Sequence, residues 1–530
     1  MTALPPEPSV KLGLVIDLDT CVGCHACVIS CKEWNTGGQG APLADQDAYG
    51  DPVGAFLNRV HSYEVTPPPE TGKAPFLAHF PKSCLHCDDA PCVTVCPTGA
   101  SYKREEDGIV LVNEDHCMGC GLCAWACPYG AREMDPVAGV MKKCTLCVDR
   151  IYNETLPEED RVPACVRACP AGARHFGDLN DPSSHVSRLS EARGGEALMP
   201  DLGTRPVNRY LPPRARDEAP FDLVALAEPA PGDAASGALG WLDRALARLC
   251  TMHPAPSLFV FTTLSGLGFG LMIFLGLAGA HGAEGGWVAI LYCALALVLA
   301  GGGLLASAQH LTRPARAWRA FSQWRSSWLS REGVLAVATV ALFGLYAALW
   351  ALGSMRLPLL GGPAALLAAA TVYCTAMIYA QLKAVPRWAH WATPALFLTL
   401  ALAGGAMLAG ETLLAASLLV IGLGLQLMHW RLGDAAWRGA AGTLGAATAL
   451  DGRGDVRPFE GPHTGRSYLT QEMVHVVGRR RSAALRRLAV ILGYVVPAVV
   501  FFTLEAWPLK HTVAGLAVLC HIAGVACSRW

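Results

Sequence analysis

Neither sign of charge prevails in this sequence: 42 Lys and Arg stand against 43 Asp and Glu, a formal net charge of −1. That balance gives no electrostatic case for a nucleic-acid partner. Glycine-rich nucleotide loops are missing from residues 1–240, which hold neither a GxGxxG run nor a P-loop, so no pocket for an organic substrate is expected there. The opening MTALPPEPSVKLGLVIDLD has no basic region followed by an apolar core, and no twin arginine. It reads as the lead-in to a strand, VKLGLVIDLD, and not as an export signal. Without such a signal, metal is the expected use of the cysteines and a disulfide scaffold is not.

What is present is unevenly spread. Sixteen of the 21 cysteines fall before residue 170, and from about residue 256 onward Leu, Ala, Gly and Val dominate in runs of membrane length. Two unlike units are therefore expected in one chain of 530 residues.

The cysteines form four groups. The first is Cys21, Cys24, Cys27 and Cys31; the second is Cys84, Cys87, Cys92 and Cys96, followed by Pro97. The third is Cys117, Cys120, Cys123 and Cys127, followed by Pro128. The fourth is Cys144 and Cys147, then, after a 17-residue insertion, Cys165 and Cys169, followed by Pro170. Two-residue gaps let a tight loop wrap three thiolates around a cube of iron and sulfide. The last cysteine of such a run points away and, in the bacterial ferredoxin pattern, ligates the other cluster of a pair. Four [4Fe-4S] clusters are thus expected. The first takes Cys21, Cys24, Cys27 and Cys169; the second Cys84, Cys87, Cys92 and Cys127; the third Cys117, Cys120, Cys123 and Cys96; the fourth Cys144, Cys147, Cys165 and Cys31. Cys120 being a cysteine argues for cubane and against three-iron clusters. Structural zinc also uses paired CxxC, but it does not need a repeated C-x2-C-x2-C-x3-C-P run. A row of clusters is a conductor between separated reactants. Between the second and third groups, GIVLVNED alternates as a β-hairpin requires, and Trp34, Trp125 and Tyr129 are expected to shield clusters from water.

Residues 179–249 are polar and proline-rich and read as an extended strap and linker. Eight apolar segments follow, near 257–280, 287–308, 332–353, 359–380, 392–409, 412–430, 488–507 and 512–528. Each is close to the roughly 20 residues that span a bilayer. With eight spans, the loops on the side of the N-terminal unit carry five, two and ten Lys and Arg, whereas the opposite loops carry only Arg356 and Lys510. That asymmetry places the cluster unit on the cytoplasmic face of an inner membrane. The segment HLTRPARAWRAFSQWRSSWLSRE, His310 to Glu332, lies on the same side. Quinone chemistry couples electrons to protons, so titratable His310 and Glu332, with Arg316, suit a quinone site. His429 and His521 make no clear facing pair, so haem is not expected, and Cys293, Cys374 and Cys520 read as small buried residues.

The expected fold class is α+β: a duplicated bacterial ferredoxin-like iron–sulfur domain (1–178), the strap and linker (179–249), and an all-α bundle of eight transmembrane helices (250–530). By their cysteine groups, CKEWN and GDLNDPSS, residues 10–215 resemble the four-cluster electron-transfer subunit of the dimethyl sulfoxide reductase family of molybdenum enzymes. By FTTLSGLGFGL, the His310–Glu332 segment and VPRWAHWATPALFL, residues 250–530 resemble the eight-helix anchor of the same enzymes. The family normally keeps these as separate polypeptides. The resemblance implies a catalytic partner carrying molybdopterin, absent from this chain, and a menaquinone or ubiquinone site in the anchor. The anchor's quinol-binding histidine, arginine and glutamate fall on His310, Arg316 and Glu332. Two departures stand out: the loop RLGDAAWRG…VVGRRRS exceeds that of the shortest anchors, and the chain stops at SRW where such anchors continue. The cytoplasmic orientation points to relatives such as quinone-linked sulfite dehydrogenases; a polysulfide- or tetrathionate-type enzyme, or a zinc-structured membrane protein, are the alternatives.

Overall fold

The computed structural model of the protein describes residues 4–36, 55–214, 256–277, 286–353, 357–440, 442–460, 476–504 and 509–529. The N-terminal half carries β1 (Leu12–Asp17), α1 (Ala26–Thr36), β2 (Asn58–Thr66) and β3 (Phe76–Ser83), then α2 (Pro91–Thr94), β4 (Ser101–Lys103) and β5 (Val110–Val112). It continues through α3 (Leu122–Ala126), β6 (Glu133–Asp135), β7 (Val140–Lys142), α4 (Val148–Ile151), α5 (Ala164–Arg167), β8 (Arg174–Asp178), α6 (His185–Ala192) and β9 (Arg209–Leu211). The run LGLVID is apolar enough to be buried along most of its length, and β1 is the central strand of a three-stranded sheet. It pairs antiparallel with β8, Leu12 opposite Asp178, and parallel with β9, Val15 opposite Arg209. The expected hairpin is β4–β5, with Ser101 opposite Val112; a second, β6–β7, separates the third and fourth cysteine groups.

The cluster loops are shaped by proline and glycine. After Cys96, Cys127 and Cys169 the chain reads Pro-x-Gly, and Gly99, Gly130 and Gly172 have φ of 68°, 57° and 63°. Proline stops the short helix before it, and only glycine takes this left-handed turn without strain. The turn sends the backbone back over its own cysteine, where Ser101 N–H lies 3.4 Å from Cys96 Sγ and Ala173 N–H 3.3 Å from Cys169 Sγ.

Residues 179–214, read as strap, are folded onto this domain. Ser184 caps α6, its hydroxyl accepting from Ser187 N–H, and Asn208 ties Leu14 N–H to the Cys84 carbonyl at 2.8 and 3.0 Å. The expected boundary at 178 therefore falls inside a folded unit. The pattern was hidden because β9 is three residues long and takes its pairing from β1, far away in sequence. The linker from 215 to 249 lies outside the described residues.

The second half contains α7 (Pro256–Leu277), α8 (Gly286–Ala308), α9 (Trp328–Gly353), α10 (Pro358–Ala380), α11 (Ala392–Ala409) and α12 (Thr412–Ala440). After α13 (Leu444–Thr448) and β10 (Asp455–Glu460) come α14 (Val476–Val490), a π turn (Ile491–Val495), α15 (Val496–Phe502) and α16 (Lys510–Arg529). Among the described residues eight helical stretches are long and apolar enough to cross a membrane, the seventh running Arg481–Phe502 through the π turn. The expected ends moved where polar residues continue a helix: α9 begins at Trp328 and α12 runs to Ala440. Hydropathy marks the apolar stretch and not the hydrogen-bonded turns beyond it. Small residues set the packing. A Cβ on Gly268 of α7 would meet the Ala300 backbone of α8, and one on Gly270 would meet the Ala401 carbonyl of α11.

Two features tie the halves together. The buried core of the cluster domain continues into Ile378 and Leu382 of the anchor and takes in Ala449 and Leu450. The loop between the sixth and seventh spans adds β10 antiparallel to β2, Val456 opposite Val65, making the sheet order β10-β2-β3.

Candidate metal centres and membrane chamber

The sixteen grouped cysteines are all free thiols, and the fold gathers them across the chain. The thiols that act most on Cys31 are those of Cys144, Cys165 and Cys147; those on Cys21 are Cys27 and Cys169. Cys87 feels Cys84, Cys92 and Cys127, and Cys120 feels Cys123, Cys96 and Cys117. Each run of three therefore lies near the last cysteine of another group.

Burial and this crowding push thiols up, Cys21 to about 11 and Cys144 to about 12. Such sets stay thiolate only beside concentrated positive charge, which iron supplies. Among the described residues no three or more His, Cys, Asp or Glu side chains gather tightly enough to hold one metal ion. Donors already face the sulfurs. Besides the turn N–H groups, Leu146 N–H lies 3.4 Å from Cys144 Sγ, and Asn35 Nδ2 lies 3.7 and 3.6 Å from Cys31 and Cys147 Sγ. The residues present fit [4Fe-4S] clusters.

The sets stand in a row. Cys165 of the fourth acts on Cys27 of the first, and Cys144 acts on Cys84 of the second. One end is open: Cys24 is exposed and Val22 is 61% exposed. The other end rests on the anchor. Arg313 Nε donates to the Ala138 carbonyl at 2.9 Å, Thr312 Oγ1 to Gly139 at 2.6 Å, and Met118 accepts from Arg313 N–H at 3.2 Å. Ser327 Oγ donates to the Val95 carbonyl at 2.9 Å. Trp125, between Cys123 and Cys127, meets Trp388 with ring centres 5.5 Å apart. Trp388 touches Tyr379, and Tyr379 touches Phe397, at 5.5 and 5.6 Å. Trp34 donates to Asp149 at 2.9 Å and Tyr129 pairs with Thr204 at 2.5 Å, so both are braced near the cysteine loops, Trp34 at the surface and Tyr129 buried.

The three residues expected at a quinone site separate. Arg316 Nη1 donates to the carbonyls of Glu114 and Cys117 at 2.6 and 3.0 Å, which ties it to the third cysteine loop. His310 lies just beyond α8, half-buried, and among the described residues its Nδ1 has no hydrogen-bond partner. Glu332 is 4% exposed in α9, and Thr375 Oγ1 donates to its Oε1 at 2.5 Å. Thr375 also lines a small pocket with Thr262, Thr263, Phe397, His521 and Arg529. The Arg529 guanidinium covers the Phe397 ring at 3.3 Å. His521 Nδ1 faces the Gly493 carbonyl at 2.6 Å; a carbonyl only accepts, so this nitrogen carries the proton and Nε2 is an acceptor. Sequence reasoning missed this chamber because its polar residues are scattered over three helices, α7, α10 and α16, that lie far apart in sequence. His429 bonds to the Thr393 hydroxyl at 3.2 Å.

Residues 20–100 and 75–179 each match a 4Fe-4S dicluster domain family, and residues 250–430 match the DMSO reductase anchor subunit (DmsC) family. A sulfite dehydrogenase subunit of Allochromatium vinosum is 60% identical over 205 residues, 38% of this chain and 84% of that protein. A polysulfide reductase subunit of Wolinella succinogenes is 38% identical over 196 residues, 37% of this chain and 91% of that protein. The protein NrfC of Escherichia coli is 38% identical over 197 residues, 37% of this chain and 78% of that protein.

Proposed function

Because this protein belongs to the family of iron–sulfur subunits of multi-subunit oxidoreductases, here continuous with a membrane anchor, we propose that it wires a molybdopterin catalytic partner to the quinone pool. The observation that carries this reading is the row of four thiol sets whose last loop is clamped onto the anchor. The ligand sets are those of the sequence reading. Bound clusters would each accept and pass on one electron. Their order is first, fourth, second, third, then membrane; the open Cys21–Cys27 end faces the catalytic partner. The third set, Cys96, Cys117, Cys120 and Cys123, lies against the anchor, with Trp125, Trp388 and Tyr379 between it and the chamber.

The chamber is the quinone headgroup site in this reading. Arg529 holds a carbonyl oxygen, His521 Nε2 receives or supplies a proton, and Glu332 exchanges protons through Thr375. His310 and Arg316 serve the docking edge. The cluster domain lies on the cytoplasmic face of the inner membrane. Sulfite, oxidised on the catalytic partner with electrons leaving to quinone, is the substrate that the 60% identity to a sulfite dehydrogenase subunit supports; a polysulfide- or tetrathionate-type partner is the second reading, supported by the polysulfide and tetrathionate reductase relatives.

Anaerobic purification tests the wire: about sixteen irons per chain are expected, four per cluster, with absorbance at about 400 nm bleached by dithionite. A colourless protein that holds zinc ends the reading. Glu332→Gln is expected to slow quinol exchange about 10²-fold or more while dithionite still reduces every cluster. Unchanged quinol kinetics would remove Glu332 from the site.

A further inference from the structure

Two arginines of the cluster domain are buried without an acidic partner. Arg132 and Arg174 are 1% and 4% exposed, and they occupy the same place in two copies of one turn, CPYGAR after Ala126 and CPAGAR after Ala168. Arg132 Nη2 donates to Ser101 Oγ and Arg174 Nη2 to Asn58 Oδ1, each at 2.8 Å. Both acceptors are neutral, and among the described residues Nη1 of each arginine has no nitrogen or oxygen partner, while Arg174 lies within hydrogen-bond reach of the Cys165 thiol. Among the described residues neither pairs with a carboxylate, whereas the buried Arg59 lies 3.0 Å from Glu133. The charges that surround Arg132 are the thiols of Cys92, Cys123, Cys84 and Cys127. Around Arg174 stand Cys165, Cys27 and Cys31. Each guanidinium therefore lies between two sets: Arg132 between the second and third, Arg174 between the first and fourth.

An unpaired buried cation costs several kcal/mol, so its counter-charge must come from the thiolate sets. We propose that Arg132 and Arg174 are positioning residues that raise the reduction potentials of the two clusters each stands between. Reduction adds one electron, and so one negative charge, to a cluster. A fixed cation in a low-dielectric interior stabilises the reduced form more than the oxidised one. Nothing else is transferred; in the titration below the electron comes from dithionite.

This inference rests on the clusters occupying the proposed sites. It is tested by redox titration of the whole chain, prepared without oxygen and followed by electron paramagnetic resonance. Asn58→Asp is nearly isosteric and places a carboxylate where Arg174 already donates; Asn58 Nδ2 has no partner to lose. The first and fourth clusters are expected to become at least tenfold less reduced at a given potential, a shift of about 59 mV for one electron. The second and third clusters should stay in place. Arg132→Gln should do the same to the second and third clusters alone, while Arg132→Lys keeps their potentials within that limit. Potentials unmoved in Asn58→Asp, or a shift shared equally by all four clusters, overturn the assignment. Should Arg132→Gln lose iron, the Asn58→Asp result decides. An iron-free wild-type chain would sink the proposed function, which is a separate failure.

Discussion

At the scale of single residues, Asn35 serves two sulfurs at once. Its Nδ2 faces Cys31 and Cys147, and its Oδ1 accepts from Thr145 Oγ1 at 2.8 Å, which fixes the amide with its donor toward the sulfurs. Hydrogen bonds to cluster sulfurs favour the reduced state. Asn35→Ala should lower the potential of the cluster held by Cys31, Cys144, Cys147 and Cys165, read in the same titration, and leave the third cluster unchanged. His61 on β2 carries a pH prediction. Burial, with Lys82 and Arg59 nearby, pushes it down to about 4, while its unfolded value is about 6.5. Between these values the unfolded state binds a proton that the folded one refuses, so stability falls as pH drops from about 6.5 toward about 4. The thermal midpoint at pH 5 should lie below that at pH 7, and His61→Gln should narrow the gap.

At the scale of elements, the loop between the sixth and seventh spans behaves as part of the cluster domain. Leu450 is fully buried in the cluster-domain core, β10 forms a ladder with β2, and Arg453 Nη1 reaches the Pro213 carbonyl at 2.8 Å. Leu450→Ala should cost about 2–5 kcal/mol locally. Limited proteolysis would show it as faster cutting in 442–460, with the helices intact. Nothing in the sequence pattern points to this strand: DVRPFE does not alternate cleanly, and what makes it a strand is the free edge of β2. By contrast, the hairpin β4–β5 and α11 are legible because alternation and apolar length are local properties. The cysteine runs are legible for another reason, since a cluster dictates ligand spacing within a run wherever the chain goes. For Arg316 the sequence shows a polar edge and no more, because a charge run reveals a polar surface and not the Glu114 and Cys117 carbonyls facing it. The strap looks unstructured in sequence because Asn208 and β9 acquire their roles only against β1 and Cys84.

At the scale of the whole molecule, a continuous core, a shared sheet and a row of arginine-to-carbonyl bonds hold the cluster domain on the anchor. The covalent link through 215–249 is then dispensable for assembly. Two polypeptides, ending after 214 and beginning at 250, should co-purify from solubilised membranes when expressed together, with the iron content of the fused chain. Recovery of the anchor alone would show that the linker, and not the interface, joins them.

The pairing of β10 with β2 has a consequence for biogenesis. When the ribosome has made the first 214 residues, the sheet that packs beside the first cysteine loop still lacks one strand. That strand emerges only after six hydrophobic segments have entered the bilayer. The cluster domain is thus completed late, at the membrane surface, so maturation of the metal centres is timed to insertion and a stalled, uninserted chain carries an unfinished domain.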